Sequence, residues 1–280
     1  MIKALGIDVS HWEGLVNYPK AIANGASFMY AKASQWQADP WFKKNWENAK
    51  AVGIPRGAYH YLDWGWSEIE QAKLFVKTMD GDWGDLPPCL DLEMDPAPYK
   101  LTPALVSGKA WNFLKYVENA TGHIPMIYTG YYYWNDWGSN NIGWVHFPLW
   151  LAWYAPEWWV RVPKPWTGWT FWQYTDRADG LAFGCQSARV DANWFSGTKE
   201  ELYKFASVSM PVPTSVPTSG KYIVITSSWV FATPNDGIFC KIIDRTLVNG
   251  VVIVSEISGE WAKLVGLISG WVRLKYLRKQ

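Results

Sequence analysis

Eight short apolar runs punctuate the first 195 residues and restrict the fold more than any other feature. They are A-L-G-I-D-V-S (4–10), S-F-M-Y-A-K-A (27–33), R-G-A-Y-H-Y-L (56–62), C-L-D-L-E (89–93), M-I-Y-T-G (126–130), L-W-L-A-W-Y (149–154), T-F-W-Q-Y (170–174) and R-V-D-A-N (189–193). Each has the length of a strand, and most carry the β-branched or aromatic residues that favour one. Amphipathic stretches over Trp41–Val52, Glu68–Met79 and Pro103–Thr121 separate several of them. Ser67-x-x-Glu70 reads as a capping box, and Thr102-Pro103 as an N-cap followed by proline at the first helical position. Strand–helix alternation predicts a parallel α/β sheet, and eight strands predict a closed barrel. The helical signal fades after residue 122, so the second half predicts an irregular barrel with fewer helices than strands.

A second unit follows. Residues 206–220, A-S-V-S-M-P-V-P-T-S-V-P-T-S-G, carry no charge and three prolines, the composition of an extended, semi-stiff linker. The expected division is a domain over 1–205, a linker over 206–220 and a small domain over 221–280. The tail holds short alternating runs, Y-I-V-I-T, I-F-C-K-I-I, V-V-I-V-S-E, W-A-K-L-V and W-V-R-L-K-Y-L, divided by turn signals at 234–237, 249–250, 258–260 and 269–270. That pattern predicts a small all-β barrel. Residues 1–205 carry 18 basic against 21 acidic side chains (−3), whereas 221–280 carry 8 against 4 (+4). A basic module on a mildly acidic one fits attraction to a polyanion, or a solvated surface.

Composition narrows the function classes. With 49% hydrophobic and 18% charged residues the chain is globular, and no stretch is long and uncharged enough to span a bilayer. The opening M-I-K-A-L-G-I-D-V-S is too short in its apolar run for a signal peptide and is interrupted by Asp8, so synthesis in the cytoplasm is expected. Cys89, Cys185 and Cys240 are far apart, and no H-E-x-x-H joins the four histidines. A disulfide framework, a zinc site and a zinc peptidase are therefore disfavoured, and neither a metal nor another cofactor is implied. The 22 tryptophans are unusual. Clusters at Trp64 with Trp66, Trp134 with Trp137, and Trp153–Trp159 offer flat faces suited to sugar rings as well as to a core.

The chemistry concentrates in carboxylates. Asp91 and Glu93 are two residues apart in C-L-D-L-E and share one face of a strand. Asp8 occupies the first strand and Asp191 the last, and in a closed barrel those strands are neighbours. Barrel enzymes keep their chemistry at the C-terminal strand ends. Carboxylates held close raise one another's pKa, which keeps one protonated at neutral pH. Asp95, before Pro96, reads as a turn residue. Ser10-His11 lacks the geometry of a nucleophile and its base, because adjacent strand residues face opposite ways. His60 reads as a packed, hydrogen-bonded histidine.

G-I-D-V-S-H-W-E-G (6–14), Y-A-K-A-S (30–34), G-A-Y-H-Y (57–61), L-D-L-E (90–93), I-Y-T-G (127–130), L-W-L-A-W-Y (149–154), F-W-Q-Y-T (171–175) and V-D-A-N-W-F (190–195) together resemble the glycoside hydrolase family 25 muramidases. The resemblance implies an irregular TIM-like (β/α) barrel. It also implies cleavage of the β-1,4 bond from N-acetylmuramic acid to N-acetylglucosamine in peptidoglycan. By motif, Glu93 would be the general acid/base, Asp91 would orient the 2-acetamido group, and Asp8 and Asp191 would hold the cluster's charge. Lys32, Tyr61, Tyr128 and Gln173 would line the sugar groove. Hydrolysis could use a carboxylate directly or the substrate's own acetamido group; the family resemblance implies retention through the second. The tail, V-N-G-V-V-I-V-S-E-I-S-G-E-W-A-K-L-V with S-G-W-V-R-L, resembles bacterial SH3-type (SH3b) modules, which implies binding to a cell-wall peptide or polymer.

The expectation is thus a modular peptidoglycan muramidase of the phage or prophage endolysin kind, with peptidoglycan as partner and neither nucleic-acid binding nor membrane insertion implied. A non-catalytic wall-glycan binder and a wall amidase or peptidase are the alternatives. Four intact carboxylates argue against the first, and the missing ligand cluster argues against the second.

Overall fold

The computed structural model describes residues 2–207 and, from the tail, only segments 220–224, 229–231, 242–245, 251–258, 261–265, 270–273 and 277–279. The linker over 208–219, the turns at 234–237 and 249–250, and Cys240 lie outside the described residues. The chain divides into two compact units, Met1–Met210 and Pro211–Gln280.

In the first unit, β1 (Leu5–Val9), β2 (Ala26–Ser34), β3 (Arg56–Tyr61), β4 (Cys89–Asp91), β5 (Met126–Gly130), β6 (Leu149–Ala152), β7 (Phe171–Asp179) and β8 (Arg189–Phe195) close into a barrel in chain order. From β1 to β7 neighbours run parallel, while β8 is antiparallel to both β7 and β1. This reversal removes the need for a crossover helix between β7 and β8, and only the 3-10 turn Glu157–Trp159 lies between β6 and β7, in line with a helical signal that fades after residue 122. Helices α1 (Tyr18–Ala23), α2 (Phe42–Ala51), α3 (Glu68–Met79), α4 (Pro103–Thr121), α5 (Tyr131–Trp137) and α6 (Lys199–Phe205) complete the unit. The mixed α/β barrel with fewer helices than strands is therefore present.

Strand parity sorts the side chains. Outward-facing Ile7, Met29, Ala31, Leu90, Ile127, Leu149 and Leu151 join Phe75, Phe113 and Leu114 of the helices in one buried cluster. Inward-facing Phe28, Tyr30, Cys89, Met126, Tyr128, Trp150, Phe171 and Phe195 fill the barrel as a second cluster. Two glycines make room for the inner rings. A Cβ on Gly57 would lie 2.2 Å from the Tyr30 ring, and one on Gly6 2.5 Å from the Phe28 ring. Large aromatics thus pack against bare backbone, giving a filled core rather than a pore.

Local signals explain most helix ends. Thr102 Oγ1 accepts from Leu105 N at 3.3 Å, Pro103 opens α4, and Gly122 closes it at φ 73°. The expected capping box at Ser67 does not form, although α3 begins there. The Glu70 carboxylate is engaged by Lys73 at 2.7 Å. A reciprocal box occurs instead at Thr198 and Glu201, at the start of α6.

In the second unit, β9 (Gly220–Val224), β10 (Trp229–Phe231), β11 (Ile242–Arg245), β12 (Val251–Ser258), β13 (Trp261–Val265), β14 (Gly270–Arg273) and β15 (Leu277–Lys279) form one sheet, ordered β11-β10-β14-β13-β12-β9-β15. Every pairing is antiparallel. The run W-V-R-L-K-Y-L, expected as one strand, contributes to both β14 and β15, and β10 had no counterpart among the expected strands.

Candidate active site

The inward parity that packs the barrel's interior changes character at its mouth. Asp8 on β1, Lys32 on β2, Tyr61 on β3, Asp91 on β4, Tyr128 on β5 and Gln173 on β7 are same-face successors of Gly6, Tyr30, Tyr59, Cys89, Met126 and Phe171. All six line one cleft of about 310 Å³, together with Glu93 and Asp191. The structure therefore gathers every sequence-derived site residue in one place. Asp191 reaches it differently from expectation. Because β8 is antiparallel, Asp191 comes from the early part of its strand, not from a C-terminal end, and stands directly opposite Asp8 in the ladder. Asp95 lies past β4, exposed, and accepts from Ala97 N at 2.9 Å, as a turn residue does.

A hydrogen-bond network fixes the floor. Gln173, 2% exposed, donates through Nε2 to Asp8 Oδ2 at 3.0 Å and to Asp191 Oδ2 at 3.1 Å. Its Oε1 accepts from the Tyr128 and Tyr154 hydroxyls, each at 2.7 Å. Asn193 Nδ2 donates to Asp8 Oδ2 at 2.7 Å, and Trp150 Nε1 donates to Asn193 Oδ1 at 2.8 Å. Oxygen and nitrogen of both amides are thereby oriented by their neighbours. Asp91 differs: its Oδ1 is buried without a hydrogen-bond partner. A cleft-lining carboxyl that keeps unused acceptor capacity at a cost in buried polarity is a place for a ligand N–H or O–H.

Charge in the cleft is unbalanced. Burial, followed by repulsion from Glu93 and the other acids, pushes Asp91 well above the ordinary carboxylate range. Burial raises Asp8 to about 7 against the pull of the Asn193 and Gln173 amides. Burial and the Asp8 charge raise Asp191 to about 9. With two amide donors Asp8 is the better-stabilised anion of the facing pair, and burial with the Asp8 charge disfavours ionisation of Asp191. Glu93 opens to solvent at the rim, yet the protein mass around it desolvates and raises its carboxyl, while Lys32 and the Tyr128 hydroxyl oppose that. Lys32 itself is lowered by burial, against the pull of Asp91, Asp39 and Glu93. It donates to Gln35 Oε1 at 2.7 Å and sits 4.8 Å from the Tyr61 ring centroid. Such strongly perturbed groups converging in a cleft mark a functional site.

Sequence reasoning passed over Asn193, Trp150, Tyr154 and Glu13. Asn193 was accessible by parity, being two residues from Asp191 on the same strand. Glu13 lines the cleft from the turn after β1 and also binds Ser10 N and Oγ at 2.8 and 3.0 Å; no periodic signal marks such a loop. His11 is held by Asp39, 2.7 Å from its Nδ1, so Ser10 and His11 serve separate partners. Among the described residues no group of three or more His, Cys, Asp or Glu is arranged to hold a metal ion, and no helix is long and apolar enough to cross a membrane.

Comparison with known proteins places this geometry in a family. The profile of glycosyl hydrolases family 25 matches residues 7–180. The uncharacterized protein YegX of Escherichia coli (strain K12) is 36% identical, over 71% of this chain and 72% of that protein. Lysozyme M1 of Streptomyces globisporus is 33% identical over 72% of this chain and 71% of its own length. The crystal structure of the bacterial lysozyme from Streptomyces coelicolor superposes with a TM-score of 0.65 at 31% identity, covering 74% of this chain and 98% of that one. Family match, similar relatives and a shared barrel agree: the chain belongs to glycosyl hydrolases family 25 and is a glycoside hydrolase.

Proposed function

We propose that this hydrolase is a peptidoglycan muramidase that cleaves the β-1,4 bond between N-acetylmuramic acid and N-acetylglucosamine. The observation that carries the reading is the convergence of Glu93, Asp91, Asp8 and Asp191 in one cleft with raised carboxyl pKa values. Glycoside hydrolysis needs a proton donor for the leaving oxygen and negative charge near an oxocarbenium-like centre. Glu93 meets the first requirement: it stands at the rim where a polymer can reach it, and its raised pKa keeps a proton available above the usual glutamate range.

The Asp91 carboxyl, which lines the cleft and has acceptor capacity left over, is suited to accept the substrate's 2-acetamido N–H, which would turn the acetamido oxygen toward the reacting carbon. That arrangement supports the route in which the substrate supplies its own nucleophile. Asp8 and Asp191, tied together by Gln173, hold one shared proton and a residual negative charge beneath the sugar. Lys32, Tyr61, Tyr128 and Gln173 line the sugar groove. The antiparallel tail is an SH3b-like module that tethers the barrel to a wall peptide or polymer and raises local substrate concentration. The whole is an endolysin of the phage or prophage kind, made in the cytoplasm and acting on the wall after release.

Glu93→Gln keeps the side chain's shape while removing the transferable proton. Release of reducing ends from purified peptidoglycan should fall by about a hundred- to ten-thousandfold, with the melting temperature unchanged or raised. Near-wild-type release would remove Glu93 from the acid role.

A further inference from the structure

The hydrogen-bond network beneath the cleft has a direction, and one side chain sets it. The Tyr128 and Tyr154 hydroxyls that meet Gln173 Oε1 can donate or accept, so they do not by themselves fix which end of that amide faces Asp8. Asn193 is held differently. It is fully buried, stands opposite Gly6 in the β8–β1 ladder, and reaches Asp8 Oδ2 through Nδ2 at 2.7 Å. Its Oδ1 accepts from Trp150 Nε1 at 2.8 Å. An indole nitrogen donates and never accepts. Turning the Asn193 amide over would set its NH2 against the indole N–H and its oxygen against the Asp8 carboxyl, so both contacts would fail. The indole has no room to follow. Trp150 is 1% exposed, and its ring centroid lies 4.6 Å from that of Tyr30, 5.0 Å from Tyr128 and 6.4 Å from Phe171. The packing that fills the barrel therefore aims one N–H.

We infer that Trp150 is a positioning residue: its indole N–H, locked by the aromatic core, turns the Asn193 amide so that an N–H faces Asp8 and keeps Asp8 the anionic member of the facing Asp8–Asp191 pair. The surroundings make this polarity matter. Glu13, Glu93, Asp91 and Asp191 bring like charge to Asp8. Lys32, the cation lining the cleft, pulls on Asp91 and Glu93. The Tyr59, Tyr128 and Tyr154 hydroxyls and the Cys89 thiol, each raised by burial, stay protonated and add no charge. Opposing the crowding at Asp8 are the Asn193 and Gln173 amides, and of these two only the Asn193 amide has a donor-only group behind it. That an ionised Asp8 serves turnover rests on the muramidase reading; the amide's orientation does not.

The test is the titration of the Asp8 carboxyl carbon, followed by NMR in the full chain and assigned with Asp8→Asn. Trp150→Phe keeps an aromatic ring and removes the N–H, which frees the amide to turn; the Asp8 midpoint should rise by about one pH unit. Asn193→Ala should raise it at least as far. The double variant should go no further than Asn193→Ala, because the indole acts through the amide. The acid limb of kcat/KM on peptidoglycan should move up with the midpoint. Trp172→Phe is the control. It removes an indole N–H that donates to the Trp153 carbonyl at 2.6 Å, and should lower the melting temperature without moving the titration. In the wild type the Trp150 indole resonance should shift with the Asp8 midpoint, a reading that needs no folded variant. The inference is overturned by an Asp8 midpoint unmoved in Trp150→Phe, a further rise in the double variant, an equal rise in Trp172→Phe, or an indole resonance blind to Asp8. An active Glu93→Gln would overturn the cleavage reading and leave the titration result standing.

Discussion

Two polar networks, one behind the barrel wall and one in its mouth, are built from similar residue types and serve opposite ends. Behind the wall, His60 is fully buried and accepts at Nδ1 from Ser34 Oγ at 2.8 Å, while its Nε2 donates to Gln71 Oε1 at 3.0 Å. Gln71 Nε2 then donates to the Asp63 and Trp66 carbonyls at 2.7 and 3.1 Å. Both ring nitrogens are used, burial pushes the imidazole down to about 4, and the ring stacks on Phe113 at 5.1 Å. The network ties β2, β3 and α3 together. In the mouth, Gln173 and Asn193 also satisfy their neighbours, but the carboxylates they serve face a cleft, repel one another and leave Asp91 Oδ1 without a partner. A closed network that lowers its own charge stabilises the fold. An open one that gathers like charge destabilises it and makes chemistry available.

Substitutions in each network should divide accordingly. The largest effect is expected for Asp91→Asn, which weakens the acceptor facing the substrate; kcat on peptidoglycan should fall about a hundredfold or more, with the melting temperature unchanged or raised. A variant that unfolds instead would put Asp91 in the structural class. Next comes His60→Leu, which strands Ser34 and Gln71. Stability should drop by about 2–3 kcal/mol, seen as an earlier denaturant midpoint, while kcat of the folded protein stays near wild type. A large kcat loss without a stability change would erase the contrast.

The smallest effect concerns the sign of stability. The folded pKa values of Asp8, about 7, and Asp191, about 9, lie above the ordinary 3.8. Protonated, these groups favour the fold most below pH 4, and that contribution is lost as pH rises through 7 to 9. Asp191→Asn removes the second titration. It should lift the melting temperature at pH 8 by about 2–4 °C, the equivalent of about 1 kcal/mol, with a smaller gain at pH 5, while activity falls. Equal melting at both pH values would show that Asp191 carries no strain.

Much of this was legible in the sequence because strand parity is a two-residue rule. Parity set Asp91 inward, but β4 ends there and Glu93 enters the cleft from just beyond the strand rather than on its face, while strand closure brought Asp8 to Asp191. The antiparallel entry of β8 was not legible, since R-V-D-A-N reads identically in either direction. Nor were the places of Tyr154 and Glu13 in the cleft, which depend on where loops fold back. Ser67 shows the opposite failure. The box pattern was present, but Lys73, three residues beyond Glu70, engages the carboxylate, and a local motif gave way to a nearby charge.

The central claim is which bond is cut. Purified peptidoglycan digested by the full chain, then reduced with borohydride and hydrolysed, reports the sugar at each new chain end. Conversion of muramic acid to muramitol in step with lysis is the predicted result. Glucosaminitol, or no reduced sugar at all, would contradict it.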